Sequence, residues 1–281
     1  MSAQTVPVFA PALDRINRLV YQRRGVLRQF AMASGWLEPG ERDAVLSVAT
    51  VAQDEPILDI GVGGGRTAPL MRQISADYHG IDYTPAMVAL ARQRFPDLSF
   101  EQMDARKLEF PDARFRLVTF SYNGIDSVDL AGREAILREV HRVLMPGGHF
   151  VFSAMNRNAV AQSTHWPDWT VFRGTGRDPR RVVRAMAKLA VGGINRLRRS
   201  TMTRDDGEVA MGAISAHNFG LVTVFTSPAM QVRQLREASF AVEAIFAPDG
   251  QQLMVDGGAD GAAQWYHFVA RKIPASPSRT E

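Results

Sequence analysis

The sequence predicts an α/β fold, a mostly parallel sheet with helices on both of its faces. Three observations carry that prediction. From residue 57 onward, short apolar runs of strand character alternate with segments of helical spacing. The apolar run Ile57-Leu58-Asp59-Ile60 leads straight into the glycine-rich turn Gly61-Val62-Gly63-Gly64-Gly65, and a helix opens around Pro69, Leu70 and Met71. A chain of 281 residues is long enough to bury one substantial core.

Before the first strand, Leu13, Ile16, Leu19 and Val20 fall at helical spacing, continued by Val26, Leu27, Phe30 and Ala31. The polar stretch Tyr21-Gln22-Arg23-Arg24-Gly25 interrupts that stripe. A second helix is predicted after Pro39, from Glu41 to Val51, which makes residues 1–55 a helical cap.

The glycine turn frees backbone for a tight bend and leaves N–H groups at a helix N-terminus, where a negatively charged ligand group is favoured. The dinucleotide pattern G-x-G-x-x-G would need glycine at 66, and Arg66 stands there. The second strand, Tyr78-His79-Gly80-Ile81-Asp82, ends in an acid about 20 residues past the turn, where a carboxylate accepts the hydroxyls of a ribose. Nicotinamide and adenosylmethionine cofactors share that feature. Residues 98–106 read as a third strand ending at Asp104. Phe115 to Phe120 read as a fourth, followed by the polar turn Ser121-Tyr122-Asn123-Gly124-Ile125-Asp126. Leu137 to Ser153 read as helix, Pro146-Gly147-Gly148 turn and fifth strand. The core resumes at Ser227-Pro228 with a helix to Ala238 and strands at 241–246 and 264–271, the last preceded by a glycine-rich loop at 256–261.

The pattern D-x-G-x-G-x-G over Asp59 to Gly65, with Asp82, Asp104 and the L-x-P-G-G run at Leu144 to Gly148 in order behind it, resembles the class I S-adenosylmethionine-dependent methyltransferases. The resemblance implies a seven-stranded, mostly parallel Rossmann-like sheet with the N-terminal helical cap and an insertion after the fifth strand. Its domains would be a core at 56–155 and 228–272, a substrate-side insertion at 156–227 and a flexible tail at 273–281. It implies S-adenosyl-L-methionine as cofactor, held by Asp59, Gly61, Gly63, Gly65, Arg66, Asp82, Tyr83, Met87, Asp104, Ala105 and Ser121. In related enzymes the N-terminal helices close over the cofactor, so Tyr21 or Arg24 would reach its carboxylate. Asp104 would accept from the adenine amino group and the N–H of Ala105 would reach the ring. By family position, the turn after the fourth strand borders the sulfonium and the acceptor. Tyr122 and Asn123 would then shape the acceptor pocket, and Asp126 would act as base or counter-charge. His165, Trp166 and His217 are weaker candidates.

The insertion holds the charge. Between Arg173 and Arg204 there are ten Lys or Arg and one acid, Asp178, a local net of +9; the whole chain nets +4, so the remainder nets −5. Arg180 to Arg199 carries Val183, Met186, Ala190, Ile194 and Leu197 at helical spacing, with Gly192-Gly193 expected to bend or break the helix. Residues 208–214 and 218–226 read as paired strands. A basic amphipathic helix suits an acceptor with an anionic group, an anionic lipid surface met peripherally, or RNA backbone. A solvated helix with its stripe packed on the core is the plain alternative. The stretch lacks interleaved aromatics, which disfavours nucleic acid.

Methyl transfer to an oxygen or nitrogen of a small-molecule acceptor is thus the first expectation. An RNA methyltransferase and a non-catalytic cofactor-binding protein of the same fold stay open beside it. No run of 18 apolar residues occurs, so no membrane span is expected. The N-terminus has no basic-then-apolar signal, and the location expected is cytoplasmic. Absence of cysteine excludes disulfides, thiolate metal sites and cysteine nucleophiles. Asp126 and Asp129 do not make a set of clustered acids, so no metal is expected.

Overall fold

The computed structural model describes residues 10–33, 35–174, 176, 178–253, 255 and 263–273. The glycine-rich loop at 256–261 and the tail beyond Ile273 lie outside them. Helices α1 (Ala10–Tyr21), α2 (Arg24–Met32), α3 (Pro39–Leu46) and α4 (Ala49–Ala52) precede the sheet. One helix was expected over 41–51; Ser47 and Val48 divide it in two, with the Ser47 hydroxyl donating to Ala44 O at 2.7 Å. Then come β1 (Ile57–Ile60), α5 (Ala68–Ile74), β2 (Tyr78–Asp82), α6 (Pro85–Arg94), β3 (Ser99–Gln102), β4 (Phe115–Phe120), α7 (Leu130–Val143) and β5 (Leu144–Met155). Pro69, Pro85 and an Asp129 cap that accepts from Gly132 N open α5, α6 and α7, because proline fixes the first-turn φ and a capping oxygen satisfies an otherwise unpaired N–H.

The insertion supplies α8 (Val160–Thr164), α9 (Pro179–Arg199), β6 (Arg204–Asp205), β7 (Val209–Ala213) and β8 (Val222–Thr226). The chain returns through α10 (Pro228–Glu237), β9 (Phe240–Phe246), β10 (Gln252–Leu253) and β11 (Trp265–Lys272). The main sheet runs β10-β9-β11-β5-β4-β1-β2-β3, with β3, β2, β1, β4 and β5 parallel and β11, β9 and β10 antiparallel. It has eight strands where seven were expected. The addition is the two-residue edge strand β10, too short to show in a pattern. Strand order reverses between β1 and β4, so the crevice for a ligand opens at the carboxyl ends of those two strands.

Both sheet faces are covered. One cluster packs α7 and α10 onto β4, β5, β9 and β11 through Leu137, Val140, Phe150, Leu235 and Phe268. The other packs α3 to α6 on the opposite face through Val45, Met71, Val88, Leu117 and Val269. Burial on both faces explains why β1, with all four residues buried, is apolar apart from Asp59.

Strands β6-β7-β8 form a separate antiparallel sheet, in which Val209 to Ala213 pairs with Thr226 to Val222. Asn17 of α1 ties the cap to this insertion. Its amide donates to Ser127 O and Val222 O and its carbonyl accepts from Val222 N, all within 3.1 Å. Among the described residues no helix is long and apolar enough to cross a membrane.

Candidate cofactor and acceptor site

A cleft with about 850 Å³ of empty space, part of it open to solvent, lies over the carboxyl edge of β1, β2 and β4. Its floor is Ile60, Gly61 and Gly63. One wall is Asp82, Tyr83 and Met87; another is Met103, Asp104, Ala105 and Arg106. Phe120, Ser121, Tyr122, Gly124, Ser127 and Val128 bound the third side, and Asp14, Tyr21 and Phe30 of the cap close it above. Four separate loops therefore converge because four parallel strands end together.

The glycine loop is held from below. Asp59 is buried and accepts from Thr67 Oγ1, the Tyr78 hydroxyl (3.0 Å) and Thr119 Oγ1 (2.8 Å). Burial pushes its pKa up, against those three donors. Asp59 thus orients the loop from beneath and does not line the cleft. Gly61 has φ +66°, and a Cβ there would stand 2.7 Å from the Phe120 ring. Gly63 has φ +52°, and a Cβ there would stand 2.7 Å from the Phe30 ring. Gly65 turns away, its N–H donating to Val62 O at 2.8 Å. Arg66 also faces away, forming a two-pronged pair with Glu41 (2.6 and 2.8 Å) and a bond to Trp36 O. Its guanidinium lies 5.1 Å from the Tyr122 ring centroid, so it supports the cleft rim from outside.

Asp82 accepts from Gly63 N at 3.0 Å and Thr84 N at 2.7 Å, and burial pushes its pKa up to about 6 against these two bonds. Each oxygen keeps acceptor capacity toward the cleft. Asp104 is grasped by Arg106, whose other carboxylate partner is Asp14 of α1 at 2.6 Å. Burial would raise the Asp104 pKa, but the Arg106 bonds outweigh it and hold the group below its ordinary value. The Tyr83 hydroxyl is buried with no hydrogen-bond partner, and Arg18 lies 4.9 Å over its ring.

The turn after β4 is strained: Tyr122 and Asn123 have φ +56° and +59°, uncommon for residues with a Cβ. Asn123 N donating to Ser153 Oγ at 2.7 Å pins it. Tyr122 lines the cleft and is half exposed, but Asn123 points into the protein, its Nδ2 at 3.2 Å from Met155 Sδ. Asp126 lies behind the wall. It is fully buried, paired with the equally buried Arg133, and accepts from Met155 N at 2.6 Å. Asp126, expected as base or counter-charge, thus has both oxygens engaged behind the wall, and Asn123, expected to shape the acceptor pocket, does not line the cleft either.

Of the residues expected from sequence, the cleft gathers Tyr21, Gly61, Gly63, Asp82, Tyr83, Met87, Asp104, Ala105, Ser121 and Tyr122. Asp59, Gly65 and Arg66 stand one layer out, and Arg24 and His165 do not line it. His217 stands just outside, with its ring 6.4 Å from that of Tyr21 and its pKa lowered by burial. Asp14, Phe30, Arg106 and Ser127 line the cleft unforeseen. Asp14 and Phe30 sit on helices read only for their apolar stripe, and contact across |i−j| of 92 has no local signal. Among the described residues no group of three His, Asp or Glu is placed to hold a metal ion.

Residues 57–148 match a family model described as a methyltransferase domain. The demethylmenaquinone methyltransferase of Chlorobaculum tepidum is 34% identical over 116 residues, 40% of this chain and 47% of that protein. The ubiquinone/menaquinone biosynthesis C-methyltransferase UbiE of Desulfotalea psychrophila is 30% identical over 171 residues, 54% of this chain and 66% of that protein. The chain thus spans about half the length of the first of these relatives and two-thirds or less of the second. In fold it is similar to the 1,6-didemethyltoxoflavin-N1-methyltransferase of Burkholderia thailandensis, with a TM-score of 0.57, 13% identity and coverage of 98% of this chain and 94% of that one.

Proposed function

We propose that the protein, whose residues 57–148 match a methyltransferase-domain family model, transfers a methyl group from S-adenosyl-L-methionine to a small-molecule acceptor, at an oxygen or nitrogen atom. One observation carries the reading. The glycine loop, Asp82, the Asp104–Ala105 pair and the Ser121–Tyr122 turn, from four separate loops, face one cleft at the point where the strand order reverses.

The residues present fit the cofactor. Gly61 and Gly63 let the loop lie against the Phe120 and Phe30 rings at the cleft floor, and Asp82 keeps acceptors for two ribose hydroxyls. Met87, Met103 and Ile136 offer an apolar slot beside Asp104 and Ala105 for a purine. The buried, unpartnered Tyr83 hydroxyl adds a donor on the same wall. When bound, the cofactor supplies an electrophilic methyl on a sulfonium.

The chain's own work is alignment and exclusion of water. Tyr21 and Phe30 close the cleft from above, and Ser127 and Val128 limit it at the side. Burial raises the Tyr21 pKa against a hydrogen bond with the Ser127 side chain, so its hydroxyl stays protonated. The carboxylates that line the cleft are already engaged: Asp14 and Asp104 by Arg106, Asp82 by two backbone N–H groups. The acceptor atom therefore attacks with its own lone pair, and a proton it carried leaves afterwards to solvent. A ring carbon of a quinol-like acceptor is the second reading, because relatives include a C-methyltransferase and the cleft wall has Phe30, Phe120, Val128 and Ile136.

Tritiated-methyl S-adenosylmethionine incubated with the protein and either a cell's small-molecule extract or its RNA tests the proposal. Label in the small-molecule fraction is expected. Label confined to RNA, or released only as slow hydrolysis, would overturn it.

A further inference from the structure

The apolar stripe of α9 faces away from the protein. Val183, Met186, Val191, Ile194 and Leu197 are 65, 59, 45, 51 and 76% exposed, and at 3.6 residues per turn they fall within about 140° of arc. The opposite face, Ala185, Gly192, Asn195 and Arg199, is the buried one. Instead of breaking the helix, the glycines let it approach its neighbours. Cβ atoms at Gly192 and Gly193 would stand 3.3 Å from the Phe219 ring and 3.1 Å from the Trp166 ring. Asn195 Nδ2 donates to Asn218 O at 2.9 Å and fixes the helix's rotation. A small, polar inner face and a large, apolar outer face invert the usual amphipathic arrangement.

Beside the outer stripe lie the exposed cations Arg180, Arg184 and Arg198. Trp169, 62% exposed, stands on the short helical turn Trp169–Phe172 that packs against α9. At 21 residues the helix spans about 30 Å.

We infer that α9 docks the protein onto an anionic phospholipid surface, its apolar stripe entering the headgroup boundary and its arginines pairing with lipid phosphates. Charge decides between occupants. The segment from Arg173 to Arg204 nets +9, so a second copy laid on the same stripe would set like charges against each other. RNA would leave five large apolar side chains without use. A lipid surface satisfies both features together, as interfacial helices do. Through Asn218, α9 adjoins the loop whose His217 touches Tyr21, so docking would bring the membrane near the cap of the cleft. The inference rests on this surface and stands apart from the acceptor's identity.

The test is co-sedimentation with vesicles of phosphatidylcholine alone or with a third phosphatidylglycerol, at low and high salt. Binding to the anionic vesicles is expected, at least about tenfold tighter than to neutral ones and weakened by salt. I194S/L197S should weaken it at least about tenfold. R180Q, R184Q and R198Q should each weaken it up to about fivefold. Melting temperature and adenosylmethionine affinity of the same preparations should match wild type, which separates lost docking from lost folding or a failed cofactor reading. No binding to anionic vesicles at low salt would overturn the inference. So would a wild-type dimer that I194S/L197S dissociates, or RNA retention unaffected by I194S/L197S in place of vesicle binding.

Discussion

Asp82 holds the glycine loop and faces the cleft with the same carboxylate. Its two backbone donors do not offset burial fully, and its pKa stands at about 6 against an ordinary 3.8. A carboxyl raised on folding stabilises the fold fully below its unfolded value and loses that contribution as pH rises through about 6. At neutral pH the buried charge is therefore waiting for further donors, and ribose hydroxyls are such donors. Adenosylmethionine affinity should be steady above pH 6 and fall below it, by up to about tenfold per unit. Calorimetry across that range on wild type and Asp82→Ala checks this. The variant should lose about 2–4 kcal/mol of binding and the pH dependence with it. Equal affinities would remove Asp82 from the ribose.

Asp126 makes the opposite case, a polar residue in the right turn on the wrong side of the wall. Its carboxylate neutralises Arg133, whose side chain also reaches Gln231. Burial pushes Asp126 up to about 6, opposed by Arg133 and the Met155 amide, so it is ionised at neutral pH. Asp126→Asn would leave Arg133 buried without a counter-charge and cost about 3–5 kcal/mol of stability. Calorimetric melting should show the loss, while turnover per folded molecule stays near wild type. A hundredfold loss of turnover with unchanged melting would restore Asp126 to catalysis.

At the scale of elements, the glycine loop shows why part of the site was legible. An apolar strand, an acid and alternate glycines specify a turn through backbone conformation alone, and that information is local. Gly61→Ala tests the two parts of its cost. A left-handed φ is strained for alanine by about 1–2 kcal/mol, and the Phe120 ring adds a clash. Gly147, with φ +73° and nothing within 4 Å of a Cβ, is the control that carries strain alone. Gly61→Ala should lower melting temperature more than Gly147→Ala and alone should weaken cofactor binding. Equal effects would mean that the close approach to Phe120 does not matter.

Other elements were legible only in part. The α9 pattern correctly gave a helix, but periodicity cannot say which side a stripe faces; that depends on Trp166 and Phe219 arriving from elsewhere. The run Pro146-Gly147-Gly148 reads as a turn before a strand. The structure continues β5 through it, with register against β4 jumping from Phe115–Leu144 to Leu117–His149. Arg94 of α6 donates to Phe30 O, Ala33 O and Gly64 O, joining the cap to the glycine loop, and nothing in its sequence neighbourhood marks it.

Across the whole molecule, the sheet order decides function more than any one side chain. Parallel β3-β2-β1-β4-β5 puts four loop ends in one crevice, and the cap, tied to the insertion by Asn17, roofs it. A ligand gripped by core loops and cap together binds only the folded chain. Adenosylmethionine at about 100 times its dissociation constant should then add about 2.7 kcal/mol of stability, read as a melting shift of several degrees. No shift at saturation would mean that the cleft does not bind it.

Calorimetric titration of the purified chain with S-adenosylmethionine and, separately, with NAD bears most directly on the claim that this cleft is a methyl-donor site. Arg66 replaces the third glycine of a dinucleotide loop and turns outward to Glu41, while Asp104 and Ala105 line the wall beside Met87 and Met103. The expected result is one-site binding of S-adenosylmethionine in the micromolar range, about −8 kcal/mol, with NAD far weaker. Tighter binding of NAD, or no heat with either ligand at a concentration well above micromolar, would contradict it.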